Sequence, residues 1–180
     1  MNFLQEKILE TCLKNIRCFK FKKMINDNEY KEGFNDFLDD GYGTYIHSNG
    51  DRYVGEFKNY KKSGHGISRY LSGDQYEGSF KNDTRHGQGT YTWANGDQYT
   101  GEYINGEMSG QGIFTWSDGD MYEGEFKNDI FNGIGIYTFT YGDKYEGGFK
   151  DGLRFGEGTY TYSDGSIKKG FWMGDLRIVT

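Results

Sequence analysis

The chain has 180 residues, among them 29 glycines and no proline, with 18% aromatic residues and a formal net charge of −6. Aliphatic residues are too sparse for a thick Leu/Ile/Val core, so aromatic rings, each able to bury about 150–250 Å², must supply most of the apolar burial. No apolar run reaches the ~18 residues of a membrane-spanning helix, and the acidity is concentrated in residues 30–180, which carry 15 Lys/Arg against 23 Asp/Glu. That balance disfavours nucleic acid or anionic lipid as a ligand of this region.

Residues 2–25 read as a helix. Asn2 caps it, with Gln5 three positions on. Leu4, Ile8, Cys12 and Ile16 form a stripe at four-residue spacing, joined by Leu9, Leu13 and Phe19. Glu6 and Glu10 stand early and Lys20, Lys22 and Lys23 late, as the helix dipole favours. Cys12 and Cys18 have five residues between them, neither a CxxC nor a zinc-knuckle spacing, so Cys12 reads as part of the apolar stripe. Cysteines confined to this segment point to a reducing compartment, and charges break any signal-peptide core. The helix has two readings: packing on the rest of the chain or on a partner, or lying on an anionic membrane through Arg17, Lys20, Lys22 and Lys23.

From Tyr30 the chain repeats every 23 residues. Tyr30, Tyr53, Tyr76, Tyr99, Tyr122 and Tyr145 open successive copies, and Lys168 opens a truncated seventh. With positions numbered as slots within a copy, slots 3, 12, 14 and 21 hold 24 of the 29 glycines, so the glycine bias belongs to the repeat. Aromatic residues recur at slots 1, 5, 16 and 18. The alternation within a copy has a period of two: in Tyr76-Glu77-Gly78-Ser79-Phe80-Lys81, rings and glycine alternate with polar residues. Each copy is thus expected to form strand A at slots 1–6 and strand B at slots 13–18, joined by a loop at about slots 7–12. Turns such as Asn95-Gly96 and Asp118-Gly119 join B to the next A.

Parity constrains that second turn. Cross-strand partners share a face. A two-residue loop would set Thr92 against Tyr99 and put neighbouring aromatic columns on opposite faces. A three-residue loop at slots 19–21, with Gly96 at positive φ as a bulge, pairs Tyr91 with Tyr99, Phe114 with Tyr122 and Gly89 with Gly101. The expectation is a meander of about 13 strands with an aromatic seam on one face, each slot-1 tyrosine stacking on the preceding slot-16 ring and the seam breaking at Ser68. Lys168 and Lys169 read as a guard on the last edge.

Few residues suggest chemistry. His65 and His86 fall beside loop glycines and His47 in an aromatic slot, all three reading as packing or loop residues. The slot-22 aspartates Asp51, Asp74, Asp97, Asp120 and Asp143 form a column, but copies ~9.5 Å apart cannot share a cation whose ligands lie about 2.3–2.6 Å from it. They read as solvated turn carboxylates. The Gly-x-Gly of slots 12 and 14 completes no phosphate-binding motif. No catalytic, metal or cofactor residue is expected.

The segments YVGEFKN at 53–59, YEGSFKN at 76–82, YEGEFKN at 122–128 and YEGGFKD at 145–151 resemble the core of the MORN (membrane occupation and recognition nexus) repeat. Glu32, His47, Ser68 and Lys168 depart from its pattern. The resemblance implies an all-β repeat protein, an elongated, twisted single-layer antiparallel meander of successive hairpins, here with an N-terminal helix. Residues 1–29 would be helix and linker, and 30–180 the array, with copies 30–52, 53–75, 76–98, 99–121, 122–144 and 145–167 and a partial copy 168–180. Helix and repeats would use the whole chain and leave no room for a catalytic domain. The family includes cytoskeletal ring and ciliary radial-spoke proteins. The resemblance thus implies a non-enzymatic scaffold in the cytoplasm, cytoskeletal or ciliary, binding other proteins and able to self-associate through terminal strands. A membrane tether or a regulatory subunit of an enzyme is the alternative. The expected contact surface is a groove lined by Tyr91, Trp93, Phe114, Trp116, Tyr137, Phe139, Tyr160 and Tyr162.

Overall fold

A computed structural model describes residues 40–174 and 176–178, all within one compact unit, Asn35–Thr180. The helix expected at residues 2–25, its contact residues Arg17, Lys20, Lys22 and Lys23, and the first A strand lie outside the described residues. Within them the chain forms thirteen strands and no helix. The strands are β1 (Asp40–Ile46), β2 (Arg52–Lys58), β3 (Lys61–Arg69), β4 (Gln75–Lys81), β5 (Thr84–Thr92), β6 (Gln98–Ile104), β7 (Glu107–Thr115), β8 (Met121–Lys127), β9 (Ile130–Thr138), β10 (Lys144–Lys150), β11 (Leu153–Thr161), β12 (Ile167–Met173) and β13 (Leu176–Ile178). They lie in one sheet in chain order, each antiparallel to its neighbour.

The register is the one parity requires. Tyr91 opposes Tyr99, Gly89 opposes Gly101 and Phe114 opposes Tyr122. At the turn, Gly96 N–H donates to the Trp93 carbonyl and Trp93 N–H to that of Asp97, both at 2.9 Å. These bonds enclose three residues, and Gly96 takes φ +95°. This is the bulged turn whose twist suits a hairpin. The same pair of bonds closes the turns at Trp116 and Phe139.

The other turn corrects the sequence reading. A six-residue loop was expected at slots 7–12; the structure has a two-residue turn at slots 7 and 8, and strand B begins at slot 9. Asn82 and Asp83 have φ of 50° and 69°, Asn128 and Asp129 52° and 66°. Two successive positive φ values define a type I′ turn, which asparagine and aspartate tolerate. The slot-12 glycine lies inside the strand. Gly87 has φ +81° where the ladder skips, so that residues 86–88 of β5 stand opposite Ser79 alone. A bulge interrupts the two-residue alternation as a loop does, hence the misreading. In two copies a slot-4 carboxylate closes the bulge: Glu56 accepts from His65 N–H and Glu125 from Ile134 N–H, both at 3.0 Å.

The core lies on one face of this single sheet. Tyr53, Tyr76, Tyr99, Tyr122 and Tyr145 are fully buried. Each ring lies flat across the glycines of slots 3 and 14; a Cβ on Gly66 would come within 2.5 Å of a Tyr53 ring carbon. The hydroxyl then reaches back to its own strand, Tyr53 donating to the Glu56 carbonyl at 2.8 Å and Tyr99 to that of Glu102 at 3.0 Å. Edge-to-face contacts join these tyrosines to slot-5 rings of the same and the next copy. The chain Tyr53–Phe80–Tyr76–Tyr103–Tyr99–Phe126–Tyr122 runs at centroid separations of 4.8–5.2 Å, the geometry aromatic quadrupoles favour. The expected stacking of slot 1 on slot 16 is therefore corrected. Those residues pair through their backbones, but their rings join two rows, linked where Phe131 meets both Tyr122 and Trp116 and where Trp172 meets both Tyr145 and Tyr160.

Candidate functional site

The second row contains the eight residues expected from sequence. Centroid separations run 4.5 Å from Tyr91 to Trp93, 5.2 Å to Phe114, 4.6 Å to Trp116, 5.2 Å to Tyr137, 4.5 Å to Phe139, 6.1 Å to Tyr160 and 4.7 Å to Tyr162. The eight are the next-to-last residue of each of β5, β7, β9 and β11 and the residue that follows each strand, on the sheet face that also bears the buried tyrosines. Tyr70 extends the row, 6.1 Å from Tyr91. Tyr160 is buried; the other seven are half-buried. Beside Tyr137 and Phe139 the face sinks into a depression of about 200 Å³, also lined by Phe131, Phe149 and Arg154.

The slot-22 aspartates are staples, not merely solvated turn groups. One oxygen of each accepts the slot-19 N–H of the next copy: Asp51 from Leu71 at 2.9 Å, Asp74 from Ala94 at 2.9 Å, Asp97 from Ser117 at 2.8 Å, Asp120 from Thr140 at 2.9 Å and Asp143 from Ser163 at 2.8 Å. The other oxygen accepts a ring-row hydroxyl where there is one. Tyr91 donates to Asp74 at 3.0 Å, Tyr137 to Asp120 at 2.8 Å and Tyr160 to Asp143 at 2.6 Å. Phe114 has no hydroxyl, and Asn95 Nδ2 takes that place on Asp97 at 2.8 Å.

These bonds set the local charges. The N–H of Leu71 holds the Asp51 carboxyl below its ordinary range, and that of Ala94 does the same for Asp74. For Asp97 the Asn95 amide is the chief cause. At Asp120 burial works upward, but donation from Thr140 and Tyr137 outweighs it. Burial, with the neighbouring carboxylate, pushes the Tyr91 and Tyr137 phenols far up. Negative charge is thus fixed along the edge of the ring row at neutral pH.

Slot 10 escaped the sequence reading. Lys62, Arg85, Met108, Phe131 and Arg154 cover the buried tyrosines. Phe131 stacks on Tyr122 at 4.0 Å, and the Arg85 guanidinium lies 5.0 Å from the Tyr91 centroid and 5.2 Å from that of Tyr103. Arg154 lies 4.9 Å from the Trp172 ring. The signal was hidden because a supposed loop contained slot 10; a two-residue turn puts it on the aromatic face. The histidines assemble no nucleophile or base pair. His47 meets Tyr45 edge-on at 4.5 Å, and His65 lies 3.8 Å from the Glu77 carboxylate at an exposed site. Among the described residues no three His, Cys, Asp or Glu gather as metal ligands.

The MORN repeat matches residues 40–52, 53–75, 76–98, 99–121, 122–144 and 145–167, and the chain belongs to the MORN repeat family. The MORN repeat is a non-enzymatic repeat type. No curated protein matches the chain. Among solved structures, the TCP domain of SAS-4 (dCPAP) of Drosophila melanogaster, in complex with a proline-rich motif of Ana2 (dSTIL), is similar over 82% of this chain and 88% of its own, at 13% identity and a TM-score of 0.48. A virginiamycin B lyase from Staphylococcus aureus is similar over 73% of this chain and 41% of its own, at 16% identity and a TM-score of 0.19. A streptogramin B lyase is similar over 79% and 45%, at 18% identity and a TM-score of 0.19. None of the three bears on function.

Proposed function

We propose that this chain is a non-enzymatic scaffold that docks a protein partner on its ring row. The observation that carries the reading is the row itself: seven half-buried rings and one buried ring in unbroken contact, on a single sheet with no second described layer. Aromatic side chains offer large area at low entropy cost and are frequent interface anchors. Backbone ladders on both sides of each interior strand hold the rings in place, so little ordering is left for the binding step. Occurrence of such repeats in cytoskeletal rings and ciliary radial spokes supports a cytoplasmic, cytoskeletal or ciliary assembly as the setting.

Trp93 and Trp116 are the largest rings of the row, and the double variant Trp93→Ala/Trp116→Ala tests it. Recovery of the native partner from its own cell extract is expected to fall at least tenfold, with strand circular dichroism retained. Undiminished recovery by the folded variant would refute docking on the row. Residues 1–29 supply a second contact, through Arg17, Lys20, Lys22 and Lys23, to a partner or to anionic lipid. Flotation of the full chain with anionic vesicles separates the two: lipid contact requires flotation that is lost when residues 1–25 are removed.

A further inference from the structure

The ring row has a fixed pitch. Tyr70, Trp93, Trp116, Phe139 and Tyr162 occupy the same slot in copies two strands apart, so equivalent rings recur about every 9.5 Å along the sheet. A ligand lying along the row meets the same ring and the same carboxylate at that interval. A polyproline II chain rises ~3.1 Å per residue with three residues per turn, and so returns to one face about every 9.3 Å. An α-helix returns after seven residues, about 10.5 Å, and is ~10–12 Å across. An extended strand returns every two residues, about 6.8 Å. Across the three intervals from Trp93 to Tyr162, the polyproline chain drifts by under ~1 Å and the helix by about 3 Å.

Charge selects further. Asp74, Asp120 and Asp143 are bonded to hydroxyls of the row itself, and Asp97 stands in the same column. Asp118 and Asp164 are exposed at slot 20 of the same turns. A ligand along this edge faces the half-buried Asp74, Asp97 and Asp120 at the ring pitch; Asp143 is buried, and the cations of Arg85, Arg154 and Lys168 lie over Tyr91, Tyr160 and Tyr162.

Resting on the reading of the row as a docking surface, we propose that its occupant is a proline-rich, basic segment in the polyproline II conformation. A proline at every third position seats on the slot-18 rings from Tyr70 to Phe139, and Lys or Arg between them faces Asp74, Asp97 and Asp120. Prolines suit such a surface because their conformation is set before binding and exposed rings pack on their flat faces.

The test titrates the full chain with three synthetic twelve-residue peptides of equal net charge, followed by calorimetry. The first carries proline at every third position with arginines between, the second has the same composition with the spacing scrambled, and the third is an amphipathic helix. The spaced peptide is expected to bind at least tenfold more tightly than either other, to weaken with salt, and to lose binding in Trp93→Ala/Trp116→Ala. A milder variant, Trp93→Phe/Trp116→Phe, keeps both rings and is expected to stay within threefold. Equal affinity for spaced and scrambled peptides, tighter binding of the helix, or no binding of the spaced peptide would each overturn the proposal. If the spaced peptide fails while native partner recovery is still lost in the alanine variant, the docking row stands and only its polyproline occupant falls.

Discussion

At the scale of single residues, the repeat depends on a tyrosine lying on two glycines. A Cβ on Gly101 would meet the Tyr99 hydroxyl and stand 2.7 Å from Gly112 Cα, backbone that cannot yield. Gly101→Ala is therefore expected to cost about 3 kcal/mol, the upper range of overpacking. Gly156→Ala meets nothing within 4 Å and bears only the strain of φ +84°, so it should cost about 1 kcal/mol. Urea unfolding of the pair checks the contrast. Phe114→Tyr adds a hydroxyl where Tyr91 and Tyr137 already bond an aspartate, and should stabilise by about 1 kcal/mol in the same assay.

The titrating groups give a two-sided pH dependence. The carboxyls of Asp51, Asp74, Asp97, Asp120 and Asp164 are held below 3.8, their value when unfolded. Their contribution is complete above that value and is lost as pH falls through the folded pKa values. The buried tyrosines are displaced the other way: burial pushes Tyr76 from 10.0 up to about 12, and Tyr53, Tyr99 and Tyr122 further. Their contribution is complete below pH 10 and is lost as pH rises through the folded values. Thermal melts should hold steady from about pH 5 to 9 and fall on both sides. Above pH 10, the buried tyrosines should ionise only together with unfolding; complete tyrosinate absorbance in a protein that keeps its strand circular dichroism would contradict this burial.

At the scale of the hairpin, two turn chemistries alternate, and each is tied to the neighbouring copy. On the type I′ side, Asp83 N–H donates to the Lys62 carbonyl at 3.0 Å and Lys62 N–H to the Asp83 carboxylate at 2.8 Å. On the bulged side the aspartate staples do the same. Asn82→Ala places an alanine at φ 50° and should lower stability by about 1 kcal/mol. Asp120→Ala leaves Thr140 N–H and the Tyr137 hydroxyl without their acceptor and should cost about 2 kcal/mol, as for bonds to a charged group. Equilibrium melts of the two variants check whether both rims hold copies together. Unchanged stability in Asp120→Ala would return the column to the role of solvated turn groups.

At the scale of the whole array, strands pair only with their chain neighbours, so stability is a sum of copies and junctions. Removing residues 99–121 deletes one full copy and joins strands of matching phase. The shortened chain is expected to keep its strand circular dichroism, with a lower urea midpoint and an m-value smaller by roughly a sixth. An unfolded product would show that copies are not interchangeable. At the last edge, β13 pairs with only the final residues of β12. Beyond it, Arg177 Nη1 donates to the exposed Lys169 carbonyl at 3.0 Å, while Lys168 Nζ lies over the Tyr162 ring at 4.8 Å. An arginine side chain thus occupies the edge where another chain would pair, while the lysine covers the last ring of the row.

From the 23-residue spacing of tyrosine and the parity of Tyr91 against Tyr99, the sequence alone determined the meander, the three-residue bulged turn and the membership of the candidate row. These follow from local rules: side chains alternate along a strand, partners share a face, and asparagine-glycine pairs turn. Tertiary structure alone decided what lies across the copies. It placed Asp120 on the turn of the next copy, slot 10 over the buried tyrosines, and the rings in two rows where one seam was expected. Those contacts join residues 9 positions apart in Phe131 on Tyr122, 20 apart in Thr140 to Asp120 and 27 apart in Phe80 against Tyr53. A periodic pattern cannot show that slots 9 to 12 belong to the strand, because a glycine inside a bulged strand and a glycine in a loop leave the same mark on the sequence.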